Sequence, residues 1–360
     1  MKKTVTLLLT AGLSLSMLLT ACGGGNAPAA TPSGGGSTTP ATSGGNDAQP
    51  SAEPIKIIWG NYGSSAMPPA KADADAIAYI EEQSGGAIQY DYVPDGVLGG
   101  ESDMMQQIMD GTIQCIQSSA STLNMYTNLS EAFQLPFLIT DYDTEQKALS
   151  SGAAQAIYDK IGEELGLKIV CYQENGLRHF ANNVRPITSV ADLKGLKLRI
   201  APSNMLTDAI TRLGASPMTV AYNEVYSALQ NKVVDGEEIN ITSIYALKHY
   251  EQLDYISEIG MYPYPAFVVY NLDFWNSLTA EQQEIILEGH RLGTENLFST
   301  YLPDYEAEAR EACTASGTAI NVIDDGAKAE FEAAVKPIWD EYREKDPLIA
   351  DFIDYVESLK

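Results

Sequence analysis

Residues 192–203, DLKGLKLRIAPS, decide the fold class. Their leucines and isoleucine alternate with Lys197 and Arg199, so that a β-strand would place the apolar side chains on one face and the two basic ones on the other. Ser203 or Asn204 can cap the helix that the next residues predict, which ends at a glycine. A strand followed directly by a helix is the unit from which α/β proteins are built.

The same order of strand and helix recurs along most of the chain. The sequence predicts strands at 55–63, 87–94, 113–119, 167–175 and 193–201, and helices at 69–86, 102–111, 146–166, 204–214, 223–232, 279–317, 331–344 and 347–359. The helix at 279–317 is unusually long, and Pro303 predicts a bend in it. The pattern indicates an α/β protein with mostly parallel sheets, arranged as two lobes with a crevice between them.

The first 54 residues differ in kind from the rest. Residues 1–22 begin with two lysines, continue with a short apolar run and end in LTAC, the pattern of a bacterial lipoprotein signal peptide with a lipobox. Cys22 is the predicted site of acylation, with palmitate or a similar chain. Residues 23–54 are rich in Gly, Ser, Thr, Pro and Ala, which is typical of a flexible tether. We therefore expect a protein lipid-anchored to the outer face of the cytoplasmic membrane, in the periplasm where an outer membrane exists.

The charge is strongly negative and unevenly distributed. The chain has 48 acidic and 22 basic residues, a formal net charge of −26, which argues against nucleic acid as a partner. Residues 72–146 contain no Lys or Arg, whereas residues 178–199 contain five. Such a local positive cluster can attract an anionic ligand to an otherwise acidic protein.

Motifs for catalysis or for metal and cofactor binding are absent from the sequence. There is no G-x-S-x-G and no P-loop, and the three histidines have no metal-ligand spacing to one another or to a cysteine. Beyond the lipobox the cysteines are Cys115, Cys171 and Cys313, too far apart and odd in number to imply a disulfide framework, although one pair could still bridge. We predict no cofactor, no metal and no enzymatic activity.

Four segments together resemble the substrate-binding subunits of TRAP transporters, the DctP-type family. They are VPDGVLGGESDMMQQIMDG (93–111), FQLPFLITDYDTEQKAL (133–149), GLRHFANNVRPITSVADLKGLKLRIAPS (176–203) and LGASPMTVAYNEVYSALQNKVVDGEE (213–238). They occur in the family's order and span most of the chain. The resemblance implies a two-lobed, periplasmic-binding-protein-like fold of type II, with a long helix spanning both lobes. Lobe I would comprise 55–177 plus about 262–299, and lobe II 178–261 plus about 300–360.

The resemblance also implies a function. Such a receptor captures a small organic acid outside the cytoplasmic membrane and delivers it to two integral membrane subunits, which use an ion gradient and not ATP. The residue expected to grip the ligand carboxylate is Arg199, with Arg178 as a second cation and Tyr222 packed on the ligand body. By register, Asn61, Tyr62 and Ser119 would line the other lobe.

One position departs from the family pattern. Many relatives read Asp-Gly-Gln-Glu-Asn-Pro, in which the Asn helps to bind the carboxylate, whereas this chain reads DGEEIN. Ile239 occupies the place of that Asn and Asn240 follows it. Either Asn240 substitutes after a small shift, or the pocket is more apolar there.

Other interpretations remain at this stage. The receptor could serve an ATP-driven (ABC) importer, the chain could be an enzyme of unfamiliar type, or it could be a surface adhesion protein. Arg199 could pair with Glu237 or Glu238 instead of a ligand, and Arg178 could brace the segments between the lobes. The segment MYPYPAF, 261–267, is interpreted as a crossover between lobes.

Overall fold

The structure, a computed structural model, describes residues 53–360. The predicted signal peptide, the lipobox with Cys22 and nearly all of the predicted tether at 23–54 lie outside these residues. Within 53–360, no helix combines the length and the apolar character needed to cross a membrane.

Eleven strands form two sheets. The strands are β1 (Ile55–Gly60), β2 (Ile88–Val93), β3 (Cys115–Ser119), β4 (Leu167–Glu174), β5 (Arg178–Asn182), β6 (Lys197–Ile200), β7 (Ser216–Thr219), β8 (Gly236–Asn240), β9 (Tyr255–Glu258), β10 (Pro265–Asn271) and β11 (Ala319–Val322). The first sheet has the order β2-β1-β3-β10-β4, and the second has the order β11-β9-β5-β8-β6-β7.

Fourteen α-helices are found in the described part of the chain. They are α1 (Pro68–Gln83), α2 (Glu101–Met109), α3 (Ala120–Leu123), α4 (Tyr142–Leu149), α5 (Gly152–Leu165), α6 (Asn204–Arg212), α7 (Val225–Gln230), α8 (Ile241–Ala246), α9 (Leu272–Ser277), α10 (Ala280–Asn296), α11 (Leu302–Ala315), α12 (Asp325–Val335), α13 (Pro337–Arg343) and α14 (Pro347–Ser358). Ser203 caps α6 by accepting a hydrogen bond from the amide of Leu206.

The predicted α/β class and two-sheet arrangement are confirmed, with one strand in each sheet running against its neighbours. β10 is antiparallel to both β3 and β4, and β5 is antiparallel to β8 and β9. These two strands directly follow two short segments at which the chain crosses from one sheet to the other, 175–177 and 259–264, which we call the crossover segments. The third crossing, from β10 to β11, runs through α9, α10 and α11. Parallel neighbouring strands need a long connection, usually a helix, that returns the chain to the same edge of the sheet. The crossover segments are too short for this, so β5 and β10 run antiparallel to their neighbours.

The predicted helix at 279–317 is interrupted where the bend was expected. α10 and α11 are joined by a π-helical turn at Leu297–Tyr301, and Pro303 is the second residue of α11. Because proline lacks the amide hydrogen that the preceding turn would need, the regular ladder breaks there. α10 packs closely on α1, and the small residue Gly293 allows this approach, since a Cβ there would lie 2.5 Å from the carbonyl oxygen of Ala72.

The last helices pack against the first half of the chain. α14 contacts α4 and α5, and the indole of Trp339 on α13 donates a 2.9 Å hydrogen bond to the carbonyl of Pro136. The predicted boundaries assign these helices and their partners to different lobes. The division of the chain into lobes remains a prediction. The three cysteines of the described region are not bridged to one another.

Candidate ligand-binding site

A cavity of about 310 Å³ lies beside the carboxyl ends of strands from both sheets. Among its walls are residues that follow β1, β4, β6 and β8. The lining residues are Tyr62, Asp95, Gly96, Gly99, Gly100, Glu101, Ser102, Asp103, Thr122, Asn175, Arg178, Arg199, Ala201, Pro202, Ala221, Tyr222, Asn223, Asn240, Ser243 and Tyr264. This is the small end of the usual range for small-molecule sites, roughly 300–1,000 Å³. Five of the seven predicted ligand-binding residues are in this set.

Arg178 is already bound to the protein. Its Nε and Nη2 donate to the two carboxylate oxygens of Glu238 at 2.5 and 2.9 Å, and Nη1 donates to Asn240 Oδ1 at 3.1 Å. Its guanidinium also lies 4.3 Å from the ring centre of Tyr264. Burial acts to lower the pKa of Arg178, but the Glu238 charge outweighs it and raises the pKa above the ordinary value. Arg178 is therefore a neutralised part of the wall with its position fixed.

Arg199 is different because it forms no salt bridge with a carboxylate of the described residues. It is 2% exposed, and its hydrogen bond within the described residues is from Nε to the carbonyl of Val220, at 3.0 Å. Burial and the neighbouring Arg178 charge lower its pKa, which still leaves an arginine charged at neutral pH. The strand β6 holds the side chain, while the two terminal nitrogens have no carboxylate partner in residues 53–360. The alternative in which Arg199 pairs with Glu237 or Glu238 is not seen.

Three tyrosines provide apolar surface around the arginines. Tyr62 and Tyr222 meet edge to face with ring centres 5.8 Å apart, and the Tyr222 hydroxyl donates to Ser243 Oγ at 3.2 Å. Burial raises the pKa of Tyr222 to about 12, so the hydroxyl is neutral at physiological pH. Tyr264 comes from the predicted crossover MYPYPAF. It lines the cavity, a role that the sequence interpretation did not give it.

Strand alternation decides between Asn240 and Ile239. Ile239 is fully buried in the apolar core beneath β8, and the next residue, Asn240, points into the cavity. Asn240 Nδ2 donates to the carbonyl of Asn175 and to Thr242 Oγ1, while its Oδ1 accepts from Arg178. An amide therefore stands beside the arginines even though the family position holds isoleucine.

Asn61 and Ser119 lie behind the cavity and do not line it. Asn61 is 1% exposed and its Nδ2 donates to the buried carboxylate of Asp73 at 3.0 Å. Ser119 is fully buried and its hydroxyl caps α3 by accepting from the Thr122 amide at 3.1 Å. Both polar groups are used by the protein itself, so the structure gives them supporting positions.

Glu101 is a cavity residue that the sequence interpretation missed. It is the first residue of α2, and one carboxylate oxygen accepts from the backbone amide of Ser119 at 2.5 Å. Burial raises its pKa, although the hydrogen bonds from Ser119 act in the opposite direction. The signal available in the sequence was an acid directly after Gly99 and Gly100, where the backbone turns sharply into a helix.

Comparison with known proteins identifies the family. The model for the bacterial extracellular solute-binding proteins of family 7, DctP, matches residues 66–346. The chain belongs to this family. The family 7 protein is 30% identical over 272 residues to the C4-dicarboxylate-binding protein DctB of Bacillus subtilis, covering 75% of this chain and 76% of the relative. It is 26% identical to the C4-dicarboxylate-binding periplasmic protein DctP of Vibrio cholerae, covering 76% and 81%.

Solved structures of TRAP periplasmic solute-binding proteins share the fold of this family 7 protein. One from Roseobacter denitrificans, with bound β-D-glucuronate, has a TM-score of 0.79 at 26% identity and covers 84% of this chain and 98% of its own. One from Haemophilus influenzae, with bound L-gulonate, has a TM-score of 0.80 at 25% identity and covers 85% and 100%. The family 7 protein is thus a solute-binding protein of the TRAP type, and the comparisons do not support the ABC alternative.

Proposed function

We propose that the cavity binds a small organic acid with its carboxylate on Arg199. The observation that carries this proposal is the charge arrangement. Arg178 is neutralised by Glu238, whereas Arg199 is buried, positively charged and without a salt bridge to any carboxylate of residues 53–360. A buried charge without a partner is costly, and a ligand carboxylate would supply the partner through two parallel hydrogen bonds.

The other wall residues suit the body of such a ligand. Tyr62, Tyr222 and Tyr264 offer ring faces and edges, and Asn240 offers an oriented amide next to the arginines. We propose that Arg178 orients the bound carboxylate and that contacts to elements of both sheets favour a closed form. Asn61 and Ser119 support these residues from behind, in place of the direct contacts expected from the sequence.

Glu101 narrows the class of ligand. Its carboxylate faces the same cavity, so the part of the ligand beside it should carry hydrogen-bond donors and not a second carboxylate. Hydroxylated monocarboxylates, such as the sugar acids in the solved relatives, meet this condition. We therefore infer that hydroxy acids bind better than C4 dicarboxylates, although two of the relatives are named for dicarboxylates.

The remaining parts of the function are proposals of the same kind. The receptor is anchored through acylated Cys22 to the outer face of the cytoplasmic membrane, and residues 23–54 tether it. It hands its ligand to two integral membrane subunits that use an ion gradient. It has no enzymatic activity and requires no cofactor. Support comes from the sequence of the first 22 residues and from the family itself.

A thermal-shift screen followed by calorimetry tests the ligand class. D-glucuronate, D-galacturonate, L-gulonate and succinate would be compared at equal concentrations, with neutral glucose as the control. We expect the sugar acids to raise the melting temperature most. Stabilisation by glucose equal to that by glucuronate would contradict the carboxylate-arginine pairing, and chemical conversion of a bound acid on prolonged incubation would contradict a purely receptor role.

The anchor is tested separately. Expression of the full chain with Cys22→Ala should release the protein from the membrane fraction, and mass spectrometry should find acyl chains on Cys22 in the parent protein. An unmodified Cys22 in a membrane-bound parent would refute the lipidation proposal without affecting the ligand site.

A further inference from the structure

The crossover segments 175–177 and 259–264 are joined to each other beneath the cavity. Nδ2 of Asn175 donates to the carbonyl of Tyr264 at 3.1 Å, and directly after the first crossover the amide of Arg178 donates to the carbonyl of Tyr262 at 2.8 Å. Asn175 and Tyr264, one from each crossover, line the cavity. The relative position of these two segments therefore sets the shape of the ligand site.

One carboxylate connects both crossovers. Glu174, the last residue of β4, is fully buried, and its Oε1 accepts from the amide of Gly176 at 2.6 Å and from the amide of Tyr264 at 2.9 Å. Gly176 has a φ of +119°, a conformation that favours glycine and that directs its amide back to this oxygen. Burial raises the pKa of Glu174, whereas the hydrogen bonds from these two backbone amides act in the opposite direction and favour its ionised form.

A second buried carboxyl group faces Glu174. Glu145 on α4 is also fully buried, and its helix packs on the first crossover, where the amide of Leu177 donates to the hydroxyl of Tyr142 at 3.2 Å; Glu145 lies near enough to Glu174 for the Glu174 charge to act on it. Three oxygens of the pair, Glu145 Oε1, Glu145 Oε2 and Glu174 Oε2, have no hydrogen-bond partner among the described residues, and no basic side chain there lies within salt-bridge distance of either. Two ionised carboxylates in contact in a buried site would repel each other strongly.

A single proton resolves this arrangement. Since Glu174 Oε1 already accepts from two amides, the proton belongs on Glu145, which then donates to Glu174 Oε2. Burial and the Glu174 charge raise the pKa of Glu145 well above its ordinary value, in agreement with this assignment. The group left without a partner is one Glu145 oxygen, which as a neutral carbonyl costs far less than a buried anion.

We propose that Glu145 is a positioning residue, which carries a proton shared with Glu174 and so holds both crossover segments in the arrangement that forms the ligand site. The expected effect of Glu145 on ligand affinity rests on the proposed function, whereas the shared proton does not.

The groups around the pair add no positive charge in direct contact with it. Asp141 and Tyr142 come from α4 itself, Tyr158 from α5, Tyr172 from β4, and Glu306 with its partner Arg310 from α11. Arg310 is bound by Glu306 and Glu258 and is half exposed, so it does not neutralise Glu145. Loss of the shared proton at high pH would leave two adjacent buried negative charges and push α4 away from the crossovers.

The sign of the pH dependence follows from linkage. An unfolded glutamate loses its proton near pH 4.3, whereas folded Glu145 keeps it to a higher pH because its pKa is raised. Between these two values the folded protein binds one more proton than the unfolded chain. The unfolding equilibrium constant should therefore increase about tenfold per pH unit from this pair alone.

The test compares the parent protein with Glu145→Gln, Glu145→Leu and the exposed control Glu281→Gln. The amide of the Gln variant donates to Glu174 at every pH, so its pH dependence of unfolding by urea between pH 5 and 8 should be shallower by one proton. Asp73, whose pKa is raised to about 6 by burial, titrates in all four proteins and cancels in the comparison. Equal slopes in the parent and the Gln variant would overturn the proposal.

Affinity supplies the second readout, with D-glucuronate as the probe at pH 6 and pH 8. The Gln variant should bind glucuronate as tightly as the parent at pH 6, and from pH 6 to pH 8 its affinity should fall no more than that of the control. The Leu variant should bind at least tenfold more weakly than the parent at both pH values. Equal affinity of the Leu and Gln variants would refute the positioning role. If glucuronate binds none of the proteins, the proposed ligand class fails, and the unfolding slopes still decide the shared proton.

Hydrogen exchange in the unaltered protein covers the case in which the variants do not fold. The amides of Gly176 and Tyr264 should lose protection, relative to the amides of α10, as the pH rises through the titration of the pair. Protection that is independent of pH would contradict the proposal.

Discussion

Replacement of Arg199 by alanine is expected to abolish ligand binding with little effect on folding. Two hydrogen bonds from a guanidinium to a carboxylate contribute about 1.5–3 kcal/mol each, so their loss corresponds to about 3–6 kcal/mol, or a 10²- to 10⁴-fold weaker affinity. Arg199→Lys keeps the positive charge but loses the paired donors of the guanidinium. Its affinity should therefore lie between those of the parent protein and of Arg199→Ala.

Stability should respond differently from affinity. Arg199 forms one hydrogen bond to a backbone carbonyl, has no salt bridge in the described region and lies near the Arg178 charge, so its removal breaks no buried salt bridge. We expect the free energy of unfolding to change by less than about 1 kcal/mol. Calorimetry with the best acid from the screen measures affinity, and urea denaturation measures stability.

Arg291→Ala is the matched control. That arginine is half exposed on α10 and pairs with Glu288 and Glu295 on its own helix. Surface pairs of this kind contribute about 0–1 kcal/mol, and this one is remote from the cavity walls. An Arg199→Ala variant that binds within threefold of the parent, with the control also unchanged, would refute the reasoning.

Four further substitutions extend these expectations. Arg178→Ala should cost about 3–5 kcal/mol of stability by urea denaturation, because Glu238 is left buried without its partner, and an unchanged midpoint would contradict this. Gly293→Ala should lower the free energy of unfolding by about 1–3 kcal/mol, because the new Cβ would clash with a carbonyl of α1. Gly152→Ala, with no atom within 4 Å of the new Cβ, should leave stability unchanged or raise it by up to about 1 kcal/mol. Similar melting temperatures for the two variants would argue against the packing explanation. Glu101→Gln should raise the affinity for succinate relative to glucuronate in competition calorimetry, and an unchanged ratio would remove Glu101 from the specificity argument.

Most of the elements could be predicted because their signals are local. The alternation around Arg199 and the cap at Ser203 need only a few residues, and both are found in the structure. The strands that were missed, such as β5 and β10, are short or uniformly buried and show no alternation. Their positions depend on pairing with strands distant in sequence, which no local pattern reports.

The cavity was predicted in part for the same reason. Arg199, Tyr222 and Asn240 follow from strand register and from the family resemblance. Glu101 and Tyr264 were missed because each reaches the cavity only through the folding of a loop, one after a double glycine and one within a crossover. Asn61 and Ser119 were predicted to line the cavity but lie behind its wall. Without the tertiary structure, a side chain buried behind a strand end cannot be distinguished from one exposed in a cavity.

The division of roles between the two arginines shows most clearly what the sequence could not provide. Both are buried in strands, and both had acidic residues as possible partners. The pairing of β5 with β8 sets Arg178 opposite Asn240 and beside Glu238. The Glu238 carboxylate is bound to Arg178 there. On its other side β8 pairs with β6, which sets Arg199 opposite Glu237, three residues before Asn240. The Glu237 carboxylate is bound to His249 instead. Within residues 53–360, Arg199 remains at the cavity without a salt bridge, because Glu238 is bound to Arg178 and Glu237 to His249, and a ligand carboxylate is the group that can complete it.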